Sequence, residues 1–433
     1  MSPSKRILIA GAGLGGLAAA YRLAKDGHDV SVFERTECLS IAQGAIFIRS
    51  NAVRCFVRWG LEEPMEEITA AILNHQTRSG HDNALLLRES PRNFSESPEW
   101  TTTRAAVQEV LYNEAIRAGA SISFGAEIVD ISETEQEAHV AFKDGSVQRG
   151  DILLVADGIS SRLRAKVLPG SEIIPIPAAS THYPAEIPKS SLIANELTKT
   201  LVEAPDSGDS LMWAGYGGYA IGKYNPRKEI FNIMYSIGLD KEDASGNPRL
   251  FDEVGDPKVV REFFKDYCPV TKALADMTVS CSRWRLARLD ALSTWSSPGR
   301  RMVLLGDSAH AMLPNLAQGF STITEDVDAL SLVLETDQPI PELVALWEKI
   351  RLPRANRIQA ASLWNYNLFT NGKAPGSELT EEERSRPAGE GDAMAPFNTA
   401  SFNKWVLDYD CTREVSVSRL EYTDLRLRLT CQS

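Results

Sequence analysis

Cysteine is scarce. Six stand in 433 residues, at positions 38, 55, 268, 281, 411 and 431, with no CxxC pair and no metal-ligand rhythm. That excludes a disulfide scaffold and leaves buried apolar thiols in a reducing compartment. Histidine is as thin: six residues, at 28, 75, 81, 139, 182 and 310, form no HxH or HExxH pattern, so no metal site is expected. No glycine-flanked Ser or Cys nucleophile elbow is present. No apolar run reaches about 18 residues, so no membrane span is expected. Ile7 to Ala10 is too short for a signal core and runs straight into glycines. Cys431 is third from the end, which is not a prenylation box. A cytoplasmic protein is expected. Positive charge is short, with 46 Lys+Arg against 58 Asp+Glu and a net charge of −12, which argues against nucleic acid or an anionic membrane as main partner.

What is there is ordinary globular material, 43% apolar and 24% charged. At roughly 100–200 residues per domain the length implies two or three domains. Arg6 to Ala10 reads as a buried strand, Leu14 to Asp26 as a helix and Val30 to Phe33 as a second strand. Strand–helix–strand at this length is a parallel βαβ unit with a right-handed crossover. Helical patterns recur at Asn51 to Gly60 and Arg104 to Ala118. Strands follow at Ser121 to Phe124, Ile128 to Glu133, Ala138 to Phe142 and Ile152 to Ala156, with Asp144-Gly145 as a hairpin signal. From Ile173 to about Arg283 short runs bounded by Gly, Pro and Asn indicate antiparallel sheet: Ser210 to Tyr216, Tyr219 to Tyr224 and Glu229 to Gly238, with Asp240 to Arg249 as a surface loop. Arg301 to Leu305 is again a buried strand, followed by helices from about Ser321 to Leu334 and from Pro341 to Ala361. Gly372 to Pro396 is expected to be a flexible loop.

Three motifs carry chemistry. Gly11-Ala12-Gly13-Leu14-Gly15-Gly16 joins the first strand to the first helix, and Glu34 ends the second strand. Gly11 permits the tight turn, Gly13 lets backbone approach a pyrophosphate, and Gly16 lets helix and strand pack closely. The helix N-terminus adds partial positive charge and free N–H groups, and Glu34 is suited to ribose hydroxyls while disfavouring a 2′-phosphate. The second motif is Ala156-Asp157-Gly158 running to Arg164 after a buried strand. The third is Gly306-Asp307-Ser308-Ala309-His310 running to Gln318-Gly319, an acid closing a strand before a glycine-rich entry to a helix.

Together GxGxxG…E, ADGxxSxxR and GDSAHxMLPxLAQG resemble the FAD-dependent monooxygenases of the aromatic-hydroxylase class, most closely the salicylate-hydroxylase-like and fungal secondary-metabolite members. Gly44 to Ala52, Arg104 with Gln108, and the tail Trp405 to Asp410 carry the resemblance further. It implies an α/β (α+β) fold: a glutathione-reductase-type Rossmann FAD-binding domain, an inserted antiparallel-sheet substrate domain and a C-terminal helical region. The boundaries expected are 1–72, 100–172 and 284–340 for FAD, 73–99 and 173–283 for the sheet, and 341–433 for the helical region with its loop at about 372–396. Gly11, Gly13, Gly16, Glu34, Arg35, Ala45, Arg104, Gln108, Asp157, Asp307, Pro314, Gly319 and Phe320 are the FAD-binding residues implied. The reaction implied uses NAD(P)H as a transient co-substrate and O2 to form a flavin C4a-hydroperoxide that hydroxylates an electron-rich aromatic substrate. Epoxidation, Baeyer–Villiger-type insertion or an FAD-dependent dehydrogenase are the alternatives. Two positions depart from the family: Ser321 stands where Asn is usual, and Arg288-Leu289-Asp290-Ala291 replaces a polar stretch ending in Pro.

The catalytic candidates are Tyr219, Arg49 and His310. Alternation puts Tyr219, Ile221 and Lys223 on one face of their strand, where Tyr219 is either a packing residue or a phenol that positions a substrate hydroxyl. Arg49 is either a solvent-exposed or FAD-facing residue or an anchor for an anionic substrate group. His310, in the third motif, is either a hydrogen-bonded structural residue or a proton relay.

Overall fold

A computed structural model describes residues 3–39, 44–204, 208–215, 217–238, 253–371, 373, 377–385 and 391–417. The chain's first layer is a five-stranded parallel sheet in the spatial order Met302–Leu304, Ile152–Val155, Arg6–Ala10, Asp29–Phe33, Ser121–Ser123. Its central strands are apolar on both faces and buried, as a parallel sheet covered by helices requires. The helix Leu14–Lys25 packs on this sheet and against Gly319–Leu334. A small antiparallel sheet of Ile128–Glu133, Ala138–Phe142 and Val147–Gly150 flanks it.

The second layer is an eight-stranded sheet in the order Glu253–Gly255, Cys281–Arg288, Ile176–Pro188, Ile230–Gly238, Gly218–Asn225, Ser210–Gly215, His75–Ser79, Leu85–Glu89. The expected antiparallel sheet is therefore mixed at one place, because Ser210–Gly215 pairs parallel with His75–Ser79. The boundary expected between 283 and 284 falls inside the strand Cys281–Arg288. Helices Pro257–Phe264 and Pro269–Met277, each opened by a proline in its first turn, pack within this part of the chain. Their apolar residues join Tyr235, Phe231 and Trp213 in a second core distinct from that of the parallel layer.

Two expectations change at the C-terminal end. The helix read as Pro341 to Ala361 runs from Ile340 to Thr370. Its extension is tied down: Ser362 donates to the Leu313 carbonyl, Asn365 to that of Asn315 at 3.4 Å, and Phe369 packs on Tyr219 at 5.0 Å between centroids. Of the loop expected at Gly372 to Pro396, the described parts include a helix at Glu381–Ser385. The carbonyls of Ala393 and Ala395 accept hydrogen bonds from Arg357. Tyr216, Asp240 to Arg249 and Gly372 lie outside the described residues.

Candidate active site

The three glycines of the first motif stand in different surroundings. Gly11 has φ +105°, and a Cβ there would sit 2.6 Å from the Ala156 carbonyl oxygen. A Cβ on Gly16 would sit 2.0 Å from the Gly11 oxygen. Gly13 has nothing within 4 Å of that position and lines a large cavity, so its backbone is open to a ligand. It caps the helix Leu14–Lys25 with no side-chain hydrogen bond and no acid in the first turn, leaving N–H groups for an anion. Arg164, buried, donates to the carbonyls of Ser308 at 2.7 Å and Ile159 at 2.6 Å. That one guanidinium locks the Asp157 and Asp307 loops together.

The cavity is about 730 Å3 and continuous from Gly13 to the face of the eight-stranded sheet. Of the sequence-derived residues, Gly13, Arg35, Ala45, Arg49, Arg104, Gln108, Asp157, Tyr219, Asp307, Pro314, Gly319 and Phe320 line it. Gly11 and Gly16 stand behind it as packing positions. Glu34 is not in the lining: one oxygen accepts from Ala12 N at 2.8 Å, the other from Thr36. Asp157 Oδ2 accepts from Arg162 N at 3.1 Å, while Oδ1 is buried without a partner and desolvation raises the carboxyl's pKa. Such an orphaned acceptor beside an open glycine edge fits a hydroxyl-rich cofactor. Gln108 donates to the Ala12 carbonyl at 3.2 Å and steadies the loop.

His310 does not reach the cavity. Its Nε2 lies 2.6 Å from Asp326 Oδ2, its ring packs against Trp295, and it is 1% exposed. The reason is local: Gly306 at φ +66° turns the short helix Asp307–His310 so that Asp307 faces the cavity and His310 faces the interior. His310 thus has a buried, hydrogen-bonded place outside the cavity lining. Arg49 lines the cavity but is already paired, its Nε donating to Glu99 Oε1 at 2.7 Å. The other Glu99 oxygen lies 2.8 Å from His75 Nε2. Glu99 is fully buried, and although burial pushes its pKa up, Arg49 and His75 hold it lowered overall.

The sheet presents this cavity with side chains in rows, because residues paired across strands share a face. One row is Tyr219, paired with Ser236, which pairs with His182 on the next strand. A second is Thr77, Met212, Ile221 and Met234. A third holds His75 paired with Ser210, and Lys223 paired with Asn232. Tyr219 Oη is 3.2 Å from His182 Nε2 and accepts from Asn315 Nδ2 at 3.5 Å. Burial drives the Tyr219 phenol up to about 12 and His182 down to about 3, so both are neutral at neutral pH. Burial also pushes the Lys223 amine down to about 8. His75, Glu99, His182, Lys223 and Asn232 were not singled out by sequence reading as site residues. Alternation along each strand was readable, but which strands stand side by side was not.

Residues 5–361 match the FAD binding domain family. Among curated relatives, the chain is 29% identical over 376 residues to 6-hydroxynicotinate 3-monooxygenase of Pseudomonas fluorescens, covering 86% of this chain and 94% of that protein. It is 23% identical to the FAD-dependent monooxygenase OpS4 of Beauveria bassiana, over 93% and 95% of the two chains. Among solved structures, CtdE in complex with FAD and a substrate superposes with TM-score 0.81 at 20% identity, covering 98% of this chain and 99% of that one. A salicylate hydroxylase substrate complex superposes with TM-score 0.77 at 20% identity, covering 96% and 98%.

Proposed function

We propose that this chain, which belongs to the FAD binding domain family, is an FAD-dependent monooxygenase that hydroxylates an aromatic ring using NAD(P)H and O2. The observation that carries the reading is one continuous cavity joining the open edge of Gly13 to an apolar and tyrosine-lined sheet face. A dinucleotide-length cofactor and a small ring are thereby put in one chamber. Relatives named as monooxygenases match over most of both chains.

In this reading the Gly13 backbone and the N-terminus of Leu14–Lys25 hold the FAD pyrophosphate. Glu34, which keeps acceptor capacity beyond its bonds to Ala12 and Thr36, takes the adenosine ribose. Asp307 takes the ribityl chain, with Arg104, Gln108 and Asp157 beside it. Pro314, Gly319 and Phe320 lie along the ring system, where the N-terminal dipole of Gly319–Leu334 favours negative charge. Bound FAD supplies the chemistry that activates O2 with electrons from the nicotinamide.

The rest is done by the chain. Tyr219 holds the substrate oxygen by a hydrogen bond, and His182 and Asn315 orient the phenol. Neither Tyr219 nor His182 is a base here. Placing a proton on a group that titrates near 3 costs roughly 5 kcal/mol at neutral pH. Met212, Ile221, Met234 and Phe369 exclude water from the reacting ring. No helix among the described residues is long and apolar enough to cross a membrane. The test is NAD(P)H oxidation across phenols, indoles and polyketide aromatics, with product mass measured under labelled O2. Absence of labelled product from every ligand that speeds NAD(P)H oxidation would defeat the hydroxylase reading.

A further inference from the structure

Three buried polar side chains in the cavity wall have no partner among the described residues. Asn232, 2% exposed, leaves both Nδ2 and Oδ1 unpaired. Ser210 Oγ and Thr101 Oγ1 are also unpaired, and each residue is 1% exposed. All three line the same cavity. Buried polar atoms in folded proteins are paired by the protein, by water or by a ligand, so unpaired ones grouped at a ligand cavity point to a partner that the ligand brings.

We propose that Asn232 and Ser210 form a docking site for a carboxamide or lactam that the substrate carries away from its reacting ring. The inference rests on the cavity being the substrate site. Asn232 offers one donor and one acceptor side by side, and their complement is another amide, which closes two antiparallel hydrogen bonds. A carboxylate offers acceptors alone and leaves Oδ1 facing a second oxygen; the Lys223 amine paired across from Asn232 attracts it, and that attraction is lost as the amine deprotonates above about pH 8. A hydroxyl satisfies one atom at a time.

Register sets the ligand's length. Asn232 pairs with Lys223, and Ser236 pairs with Tyr219, so the amide row and the phenol row stand four residues apart along their strands. At about 3.3 Å per residue the separation is roughly 13 Å. A single benzene ring cannot touch both. Between them Met212, Ile221 and Met234 offer an apolar floor for a linking skeleton. The geometry selects an aromatic ring with an amide-bearing extension over a bare benzoate or phenol.

The experiment uses oxidised, FAD-loaded protein without NAD(P)H and reads the flavin absorbance change on titration. The probes are 4-(4-hydroxyphenyl)butanamide, the matching butanoate, and 4-propylphenol. At about pH 9, above the Lys223 amine, the amide is expected to bind about tenfold tighter than either other probe, the scale of one or two added neutral hydrogen bonds. Asn232→Leu is expected to abolish that preference while leaving 4-propylphenol affinity unchanged. It should not lower the melting temperature, because it removes a buried unpaired amide. Ser210→Ala, a milder change, should reduce the preference about threefold, the scale of one weak hydrogen bond. Equal binding of amide and alkylphenol, no binding of the amide, or a preference that survives Asn232→Leu each overturn the proposal. Turnover separates the two readings. Amide preference without labelled product condemns the hydroxylase, and labelled product without amide preference condemns the docking site.

Discussion

Replacing Gly13 by alanine should weaken cofactor binding without harming the fold. The backbone there is extended, with φ −72°, so a side chain is allowed. Nothing lies within 4 Å of the added methyl, and the methyl projects at the cavity. The apoprotein should therefore keep its stability or gain roughly 0.4–1 kcal/mol from a less flexible unfolded chain. The bound state suffers, because the methyl occupies the space through which a pyrophosphate reaches the helix N–H groups. Losing one charge-assisted hydrogen bond and part of the dipole interaction costs roughly 2–5 kcal/mol, a weakening of about 30-fold to a few thousand-fold. Gly16→Ala is the control, since its methyl would sit 2.0 Å from a carbonyl oxygen. Overpacking there costs typically 1–3 kcal/mol or more, and it does so in the apoprotein. The assay is flavin content after purification, FAD titration by fluorescence, and melting of deflavinated protein. Normal FAD affinity in Gly13→Ala, or an apoprotein destabilised as much as Gly16→Ala, would refute the placement of the pyrophosphate.

Asp307→Ala should yield mostly apoprotein, and Glu34→Ala should lose flavin on gel filtration, each forfeiting roughly 1.5–3 kcal/mol per charged hydrogen bond. Full flavin content and normal turnover in Asp307→Ala would show the ribityl placement to be wrong. Tyr219→Phe should lower kcat/KM by roughly 5- to 30-fold for a phenolic substrate, the value of one buried hydrogen bond. Its pH profile between about 6 and 9 should match the parent's, because the phenol titrates near 12 and His182 near 3. A limb of the profile that vanishes in the variant would make Tyr219 the base after all. His182 also predicts acid lability. Below its ordinary 6.5 the unfolded chain takes up a proton that the folded protein refuses until about 3, so stability falls as pH drops through that window. The full loss is roughly 5 kcal/mol. His182→Asn should flatten melting temperature against pH from about 6.5 to 4, and an unchanged slope would assign the lability elsewhere.

The cofactor half was legible because it is built from backbone. Only glycine fits where a Cβ would strike Ala156 or Gly11, so Gly11 and Gly16 announce their geometry in the residue type. A strand of clean alternation was equally clear: Ala138–Phe142 ends where the pattern ends. The substrate half was not, because it depends on pairing between distant segments. His75 and Ser210 meet through a parallel pair that joins strands far apart in the chain. One part was within reach. Asn225 pairs with Ile230 across a four-residue turn, and that register alone places Asn232 opposite Lys223. The overrun of the last long helix to Thr370 was hidden for the same reason, since Ser362 and Asn365 look like helix-weakening residues until their carbonyl partners Leu313 and Asn315 are known.

His310 makes sense once the buried ions behind the loop from Asp307 to Gly319 are taken together. Glu325 accepts from Arg354 and Arg351, and Asp326 accepts from Arg351 and faces His310. Asn51 donates to both Glu325, at 2.6 Å, and Gln318, at 2.9 Å. Gln318 is the residue immediately before the helix Gly319–Leu334. Burying two guanidiniums and two carboxylates is expensive, and apolar packing would serve stability as well or better. What apolar packing cannot do is fix an N-terminus to a fraction of an ångström, because it has no directional bonds. Each bond in this network is directional, and removal of any one charge strands another in the interior at a cost of roughly 3–5 kcal/mol. The carbonyls of Trp405 and Val406 complete it through Arg354, and Tyr409 lies 3.6 Å from that guanidinium. The C-terminal segment is thus wired to the helix end that faces the cavity. The third sequence motif accordingly does two jobs on two sides of one loop. Asp307 and Gly319 face the cavity, while His310 and Gln318 anchor the loop to ions that hold it still.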